Sequence, residues 1–279
     1  MLLVPAALAA PNWVPITFYH GDFAHWHDQR LAMLAEVQVG ELHCQMQIDT
    51  GLNDAVHWQA PEQDSPEEKV PVQIAGASWQ VAIAKTTLDR LASPQGCASG
   101  AKMGNIGTGF FERGTVTFDL KANRLGYEEG SQLAVAQSSP LIYAQWPNWG
   151  WGGFPLVEIY DKEQRVGLAL FDTGSAAIGL SLMSEADWRR ALATHTGKHK
   201  PSVAQLKVPA WDKLLPAQTA EISSPWQAGS LPLGKLRLFH APEQGFKPAE
   251  PLMGVLGLQS FGEATIALDI PGRRWQVRP

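Results

Sequence analysis

Along most of the chain, apolar residues recur at every second position rather than every third or fourth. Leu34-Ala-Glu-Val-Gln-Val39 and His43-Cys-Gln-Met-Gln-Ile48 alternate in this way on either side of Gly40-Glu41. A period of two gives each segment one apolar face, so the pair reads as an antiparallel hairpin. Val70–Ile74 and Trp79–Ile83 read as a second hairpin, turned at Ala75-Gly76-Ala77. Thr115–Leu120 is a further strand, closed by the turn signal Lys121-Ala-Asn123. Later strands are predicted at Leu156–Ile159, Val166–Phe171, Leu231–Phe239 and Thr265–Ile270. One helix stands out. Ser184, with Asp187 three residues on, forms a capping pair; the helix runs through Trp188 and Leu192, and Gly197 stops it.

The pattern repeats. Asp49-Thr50-Gly51 returns as Asp172-Thr173-Gly174, each time at the end of an apolar strand, 123 residues apart. Gly104-Asn-Ile-Gly107, with Phe111 and Thr115-Val-Thr-Phe-Asp119, returns as Gly254-Val-Leu-Gly257, with Phe261 and Thr265-Ile-Ala-Leu-Asp269, at an ungapped offset of 150. The second copy is therefore 27 residues longer between its two matching pieces. A tripeptide recurs by chance; two, each trailed by the same elements in the same order, mark a duplicated unit.

Composition narrows the classes. The 279 residues are 45% hydrophobic and 18% charged, with 26 glycines and 20 prolines, more than the roughly 12% Gly plus Pro of average usage. That suits many short strands and turns in a folded chain. With 22 basic residues against 27 acidic, nothing points to nucleic acid. The longest apolar run is the first ten residues, too short for a membrane-spanning helix. Within it, Ala7-Leu8-Ala9 has the small-x-small form of a cleaved export signal, without a basic leader and with Pro5 interrupting. Two locations follow, periplasmic or secreted on the export reading and cytoplasmic otherwise. Cys44 and Cys97 can pair in the first and are buried thiols in the second.

Two Asp-Thr-Gly loops facing each other have a chemical rationale. Glycine lets each loop approach its partner, and threonine can hydrogen-bond across. Two adjacent carboxyls cannot both ionise, so one keeps a proton and the other acts as base on a shared water. Asp49 and Asp172 are the candidates. Thr50 and Thr173 brace them, and Gly51 and Gly174 shape the loops.

This constellation resembles the aspartic peptidases, doubled as in bilobal pepsin-type chains. The segment Gly153-Phe-Pro-Leu-Val-Glu-Ile through Phe171-Asp-Thr-Gly-Ser175, with Val255-Leu-Gly257, is similar to the retropepsin pattern, and Gly104–Tyr127 carries its trailing part in the first half. The resemblance implies an all-β fold of two pseudo-symmetric acid-protease-type β-barrel lobes with an active-site cleft between them. It implies an endopeptidase acting on polypeptide, in which Ser175 orients Asp172, with no metal or organic cofactor and no need for a second copy. Residues 31–127 and 155–279 would be the lobes, 128–154 the crossover and 1–30 an N-terminal segment. The rival reading is a peptide-binding or inhibitory protein that keeps the fold without turnover.

The chain departs from that family at three points. Leu52 follows the first Asp-Thr-Gly where pepsin-like enzymes place a hydroxyl. His57–Lys69 lacks the flap tyrosine. Asn105-Ile106 replaces two apolar residues. A lid could instead come from Gln205–Leu215, read as a hairpin with Trp211 near its tip.

Other clusters have plainer readings. His20-Gly-Asp22-Phe-Ala-His25-Trp-His27-Asp28 offers metal-ligand types but reads as a polar loop. His195 and His199 read as the solvated end of the helix. Trp146, Trp149 and Trp151 read as packing of the crossover, and Asp119 and Asp269 as structural strand ends.

Overall fold

The computed structural model describes residues 11–59, 67–145, 152–210, 213–241 and 251–279, and these form an all-β fold with two short α-helices among the described residues. The first half comprises β1 (Asn12–Phe23), β2 (Trp26–Val39), β3 (Leu42–Ile48), β4 (Val56–Trp58), β5 (Glu67–Ile74), β6 (Ala77–Ala84), α1 (Lys85–Ala92), β7 (Lys102–Ile106), β8 (Gly114–Asp119) and β9 (Arg124–Glu129). Two short strands follow, β10 (Ser139–Pro140) and β11 (Ile142–Ala144). The second half comprises β12 (Phe154–Asp161), β13 (Gln164–Asp172), β14 (Leu180–Leu182), α2 (Glu185–Ala193), β15 (Val203–Ala210), β16 (Lys213–Ala228), β17 (Leu231–His240), β18 (Gly254–Gly257), β19 (Thr265–Asp269) and β20 (Arg274–Arg278).

The predicted hairpins form. β2 pairs with β3 around Gly40, whose φ of 58° lies in the left-handed region that glycine adopts without strain. β5 pairs with β6 through Ala75-Gly76, Ala77 being the first residue of β6. Ser184 caps α2 as predicted, its Oγ accepting the Asp187 N–H at 3.0 Å. The helix ends at Ala193, short of Gly197, because Thr194 already closes the last turn with bonds to Arg190 and Ala191 carbonyls. α1 was not legible: it starts after Ala84 with no side-chain cap.

The repeat is visible in the register. In the first half β3 runs parallel to β7, with Gln47 opposite Asn105 and Ile48 opposite Ile106. In the second, β13 runs parallel to β18, with Leu170 opposite Val255 and Phe171 opposite Leu256. The halves are also knitted together. β19 pairs antiparallel with β8, so the end of the chain adds to the first-half sheet, in the order β10-β20-β19-β8-β9-β1-β2-β3-β7-β4. Phe118 packs tilted on Phe171 and Phe261 packs edge-on to it across this seam, with ring centroids 6.4 and 5.4 Å apart.

Residues 20–28 are corrected by the structure. They are not a loop but the ends of β1 and β2, turning at Ala24-His25. His20 pairs with Asp28 at 3.0 Å and His27 with Asp22 at 3.1 Å, each across the hairpin. The hairpin tip crosses to the second half. Trp26 and Phe23 pack on Phe239 of β17, the Arg237 guanidinium lies 4.0 Å over the Trp26 ring, and the Trp26 indole donates to Glu221. The alternating strand signal was hidden there because both faces of this arm carry polar groups.

Cys44 of β3 and Cys97 are disulfide-bonded, closing a loop of 53 residues. Asp269 is fully buried and accepts from Ser131 Oγ and the N–H groups of Gln132, Leu133 and Gly272. Asp119 accepts from the Ala122 N–H and pairs with Arg124 at 2.9 Å. Both thus close turns at strand ends. No described helix is long and apolar enough to cross a membrane.

Candidate active site

Asp49 directly follows the end of β3, Asp172 is the last residue of β13, and the loops beyond them meet. Thr50 N–H donates to Thr173 Oγ1 at 3.0 Å, and Thr173 N–H donates to Thr50 Oγ1 at 2.9 Å. Each hydroxyl then donates to the opposite strand, Thr50 to the Phe171 carbonyl and Thr173 to the Ile48 carbonyl, both at 2.8 Å. Both threonines are buried, so all of these bonds are sheltered from water.

The reciprocal bonding brings the carboxyls together. A Cβ on Gly51 would lie 2.6 Å from the Asp172 carboxyl, and one on Gly174 would lie 2.5 Å from Asp49 Oδ1. Only hydrogen fits at either place. The Gly51 N–H lies within reach of both acids, 3.0 Å from Asp49 Oδ1 and 3.2 Å from Asp172 Oδ1.

The two acids are not equivalent. Asp172 also accepts the Gly174 N–H at 2.7 Å and the Ser175 hydroxyl at 2.6 Å. At the matching place in the first half stands Leu52, buried and without a donor. Burial raises the Asp49 pKa well above the usual carboxylate range; the Asp172 charge and a hydrogen bond with that carboxyl raise it further, against a smaller opposing effect of the Gly51 N–H. The donors gather on Asp172, while burial favours the protonated form of Asp49.

A lysine that sequence reasoning missed lies beside the pair. Lys102 of β7 donates from Nζ to Gln47 Oε1 at 2.8 Å and Asn105 Oδ1 at 3.3 Å. The Gln47 amide in turn donates to the Gly174 carbonyl of the opposite loop at 3.4 Å. Burial lowers the Lys102 pKa, and the Asp49 charge opposes that shift. Setting the two copies of the repeat side by side reveals the signal, since offsets of 123 and 150 place Leu170, Leu252 and Val255 where the first half has Gln47, Lys102 and Asn105.

Of the other singled-out residues, β15 and β16 do form the predicted hairpin, pairing from Val203 with Ala220 to Ala210 with Lys213. Trp211, Trp146, Trp149 and Trp151, and the apolar start through Ala10, lie outside the described residues. His195 is not simply solvated, since its Nδ1 accepts the Ser223 N–H at 2.9 Å and ties α2 to β16. Among the described residues no three His, Cys, Asp or Glu side chains gather as a metal site.

No family model matches the chain, and no curated protein does. Among solved structures it is similar to the crystal structure of basic 7S globulin from soybean, at 13% identity and a TM-score of 0.46, over 95% of this chain and 94% of that one.

Proposed function

We propose that the chain is an aspartic endopeptidase, with residues 31–127 and 155–279 as acid-protease-type lobes joined by the 128–154 crossover. The observation that carries this reading is the pair of Asp-Thr-Gly loops, one from each half, locked by reciprocal threonine bonds and with both carboxyls within reach of the one Gly51 N–H. Asp172, charged and held by three donors, takes a proton from a water as its oxygen attacks the amide carbon. Asp49 gives its proton to the developing oxyanion. As the tetrahedral diol collapses, Asp172 passes its proton to the amide nitrogen, the C–N bond breaks, and a diol hydroxyl returns its proton to Asp49, so that one shared proton again lies between the acids. Both acids belong to one chain, so the chemistry asks for no second copy.

The β15–β16 hairpin is the lid in this reading, with Trp211 as the residue that the sequence assigns to it. Trp211→Ala is then expected to raise KM for peptides, and unchanged cleavage would remove Trp211 from that role. The Cys44–Cys97 bond favours a periplasmic or secreted location over a reducing cytoplasm.

One observation favours the second reading, a binding protein without turnover: Leu52 denies Asp49 the hydroxyl donor that Asp172 has in Ser175. Incubation with a diverse peptide pool from acid to neutral pH, with and without a statine-type transition-state analogue, separates the two. The peptidase reading expects cuts that the analogue suppresses. Analogue binding without any cut would establish the binder.

A further inference from the structure

Strand alternation puts Gln45, Gln47 and Asp49 on one face of β3, and Leu168, Leu170 and Asp172 on the matching face of β13. The neighbouring strands continue the contrast. Lys102 and Asn105 on β7 answer to Leu252, just before β18, and Val255 within it. The first-half set is joined by hydrogen bonds, and Gln47 reaches the opposite aspartate loop. In the second half, Leu168 and Leu170 pack with Phe154 and Leu156, and with Leu252 and Val255, as a separate apolar cluster. Duplication alone would give two like flanks. The two flanks of this dyad are instead polar and cationic on one side and apolar on the other.

The Lys102 ammonium has unmet capacity. It carries three N–H donors, of which two are spent on amide oxygens, and among the described residues it forms no salt bridge. A half-buried cation held by neutral amide acceptors beside the aspartate pair is completed by an incoming anion.

Resting on the aspartic-peptidase reading, we propose that Gln47, Lys102 and Asn105 form a subsite for an acidic side chain next to the scissile bond, and that Leu170, Leu252 and Val255 form an apolar subsite on the other side. The preferred substrate is then a polypeptide with Asp or Glu on one flank of the cut and an aliphatic residue on the other. A carboxylate supplies the charged acceptor that the free Nζ proton lacks. A lysine in its place would bring two ammonium groups together, and a leucine would leave Lys102 desolvated without a partner.

Matched peptides differing only in Glu, Leu or Lys at the flanking positions test this. They are offered as substrates and, with statine at the scissile position, as ligands followed by calorimetry. The expectation is a kcat/KM and an affinity about tenfold or more higher for Glu than for Lys, as a charge-assisted hydrogen bond gives. Lys102→Glu inverts that ratio and Lys102→Arg keeps it, with melting curves checking that each variant folds. In the wild type the preference fades as pH falls through about 4, where the substrate's own glutamate protonates; this arm needs no variant. A Glu-to-Lys ratio near one in the wild type, or a ratio unmoved by Lys102→Glu in a folded variant, overturns the subsite. Acid-selective binding without any cleavage supports the subsite and overturns the peptidase reading. Unselective cleavage does the reverse, and neither binding nor cleavage of any peptide overturns both.

Discussion

Leu52 and Ser175 stand three residues after Asp49 and Asp172 respectively; both backbone N–H groups donate to the aspartate carbonyl, but only Ser175 adds a side-chain donor, its hydroxyl 2.6 Å from the Asp172 carboxylate. Two otherwise matching loops thus give their carboxyls unequal hydrogen bonding. A hydroxyl aimed at a carboxylate stabilises the ionised form and lowers its pKa. Ser175→Ala removes that donor from Asp172 and is expected to lower kcat/KM about tenfold, the size of a lost charge-assisted hydrogen bond, while Ser175→Thr keeps most of the activity. Leu52→Ser adds a donor on the Asp49 side and is expected to pull the alkaline limb of the kcat/KM–pH profile down. The two apparent pKa values belong to the pair, so both limbs are to be fitted together.

The threonines brace the loops by a symmetric exchange, and their hydroxyls both donate and accept. Thr50→Ala leaves the Phe171 carbonyl and the Thr173 N–H without partners in a buried site. At about 1–3 kcal/mol for each orphaned group, the expected loss of stability is roughly 3 kcal/mol in a urea titration, with a parallel fall in any turnover. Thr50→Ser retains the hydroxyl and is expected to lose much less. Each substitution breaks its own two bonds, yet the Thr50→Ala and Thr173→Ala losses will fall short of additivity, because both hydroxyls hold the same two loops together and the first loss already loosens the second contact.

The proton on Asp49 ties stability to pH. Its folded pKa is raised, so between the ordinary unfolded value near 4 and the raised one the native state binds more protons than the unfolded chain. Stability from this group is full below the unfolded pKa and is lost as pH rises through the folded one. Asp49→Asn removes the titration. The variant is expected to melt higher than the wild type near neutral pH, with the difference shrinking toward pH 4. A difference that grows on acidification would contradict the assignment of the proton.

Much of this site was legible beforehand because it rests on strand-end tripeptides with short-range geometry. The two Asp-Thr-Gly loops, Ser175 and the pairing of β2 with β3 all follow from period two, a glycine turn and a repeat. The remainder depends on contacts made far along the chain. The β1–β2 arm was hidden because its tip is covered by second-half residues such as Phe239 and Arg237, more than 200 residues later. Lys102 was missed because nothing in its own neighbourhood marks it; Gln47, 55 residues earlier, gives it a role. The disulfide stayed open because sequence gave no measure of how near Cys44 and Cys97 come.

That disulfide anchors β3, the strand that ends at Asp49. Closing a 53-residue loop is worth about 4 kcal/mol in the chain-entropy model. A Cys44→Ala, Cys97→Ala double variant, or the reduced protein, is expected to lose about 2–4 kcal/mol of unfolding free energy. The wild type should respond to reductant in a thermal melt, and the double variant should not.

The central claim is that Asp49 and Asp172 act as one catalytic unit, and kinetics of the isosteric variants test it most directly. Single-turnover cleavage of one good peptide is to be measured for the wild type, Asp49→Asn, Asp172→Asn and the double variant, each shown folded by circular dichroism. The account predicts that either single substitution lowers the rate by a thousandfold or more and that the double variant is scarcely worse, since residues that work as a unit are lost together. Hydrolysis surviving in either folded single variant would contradict it.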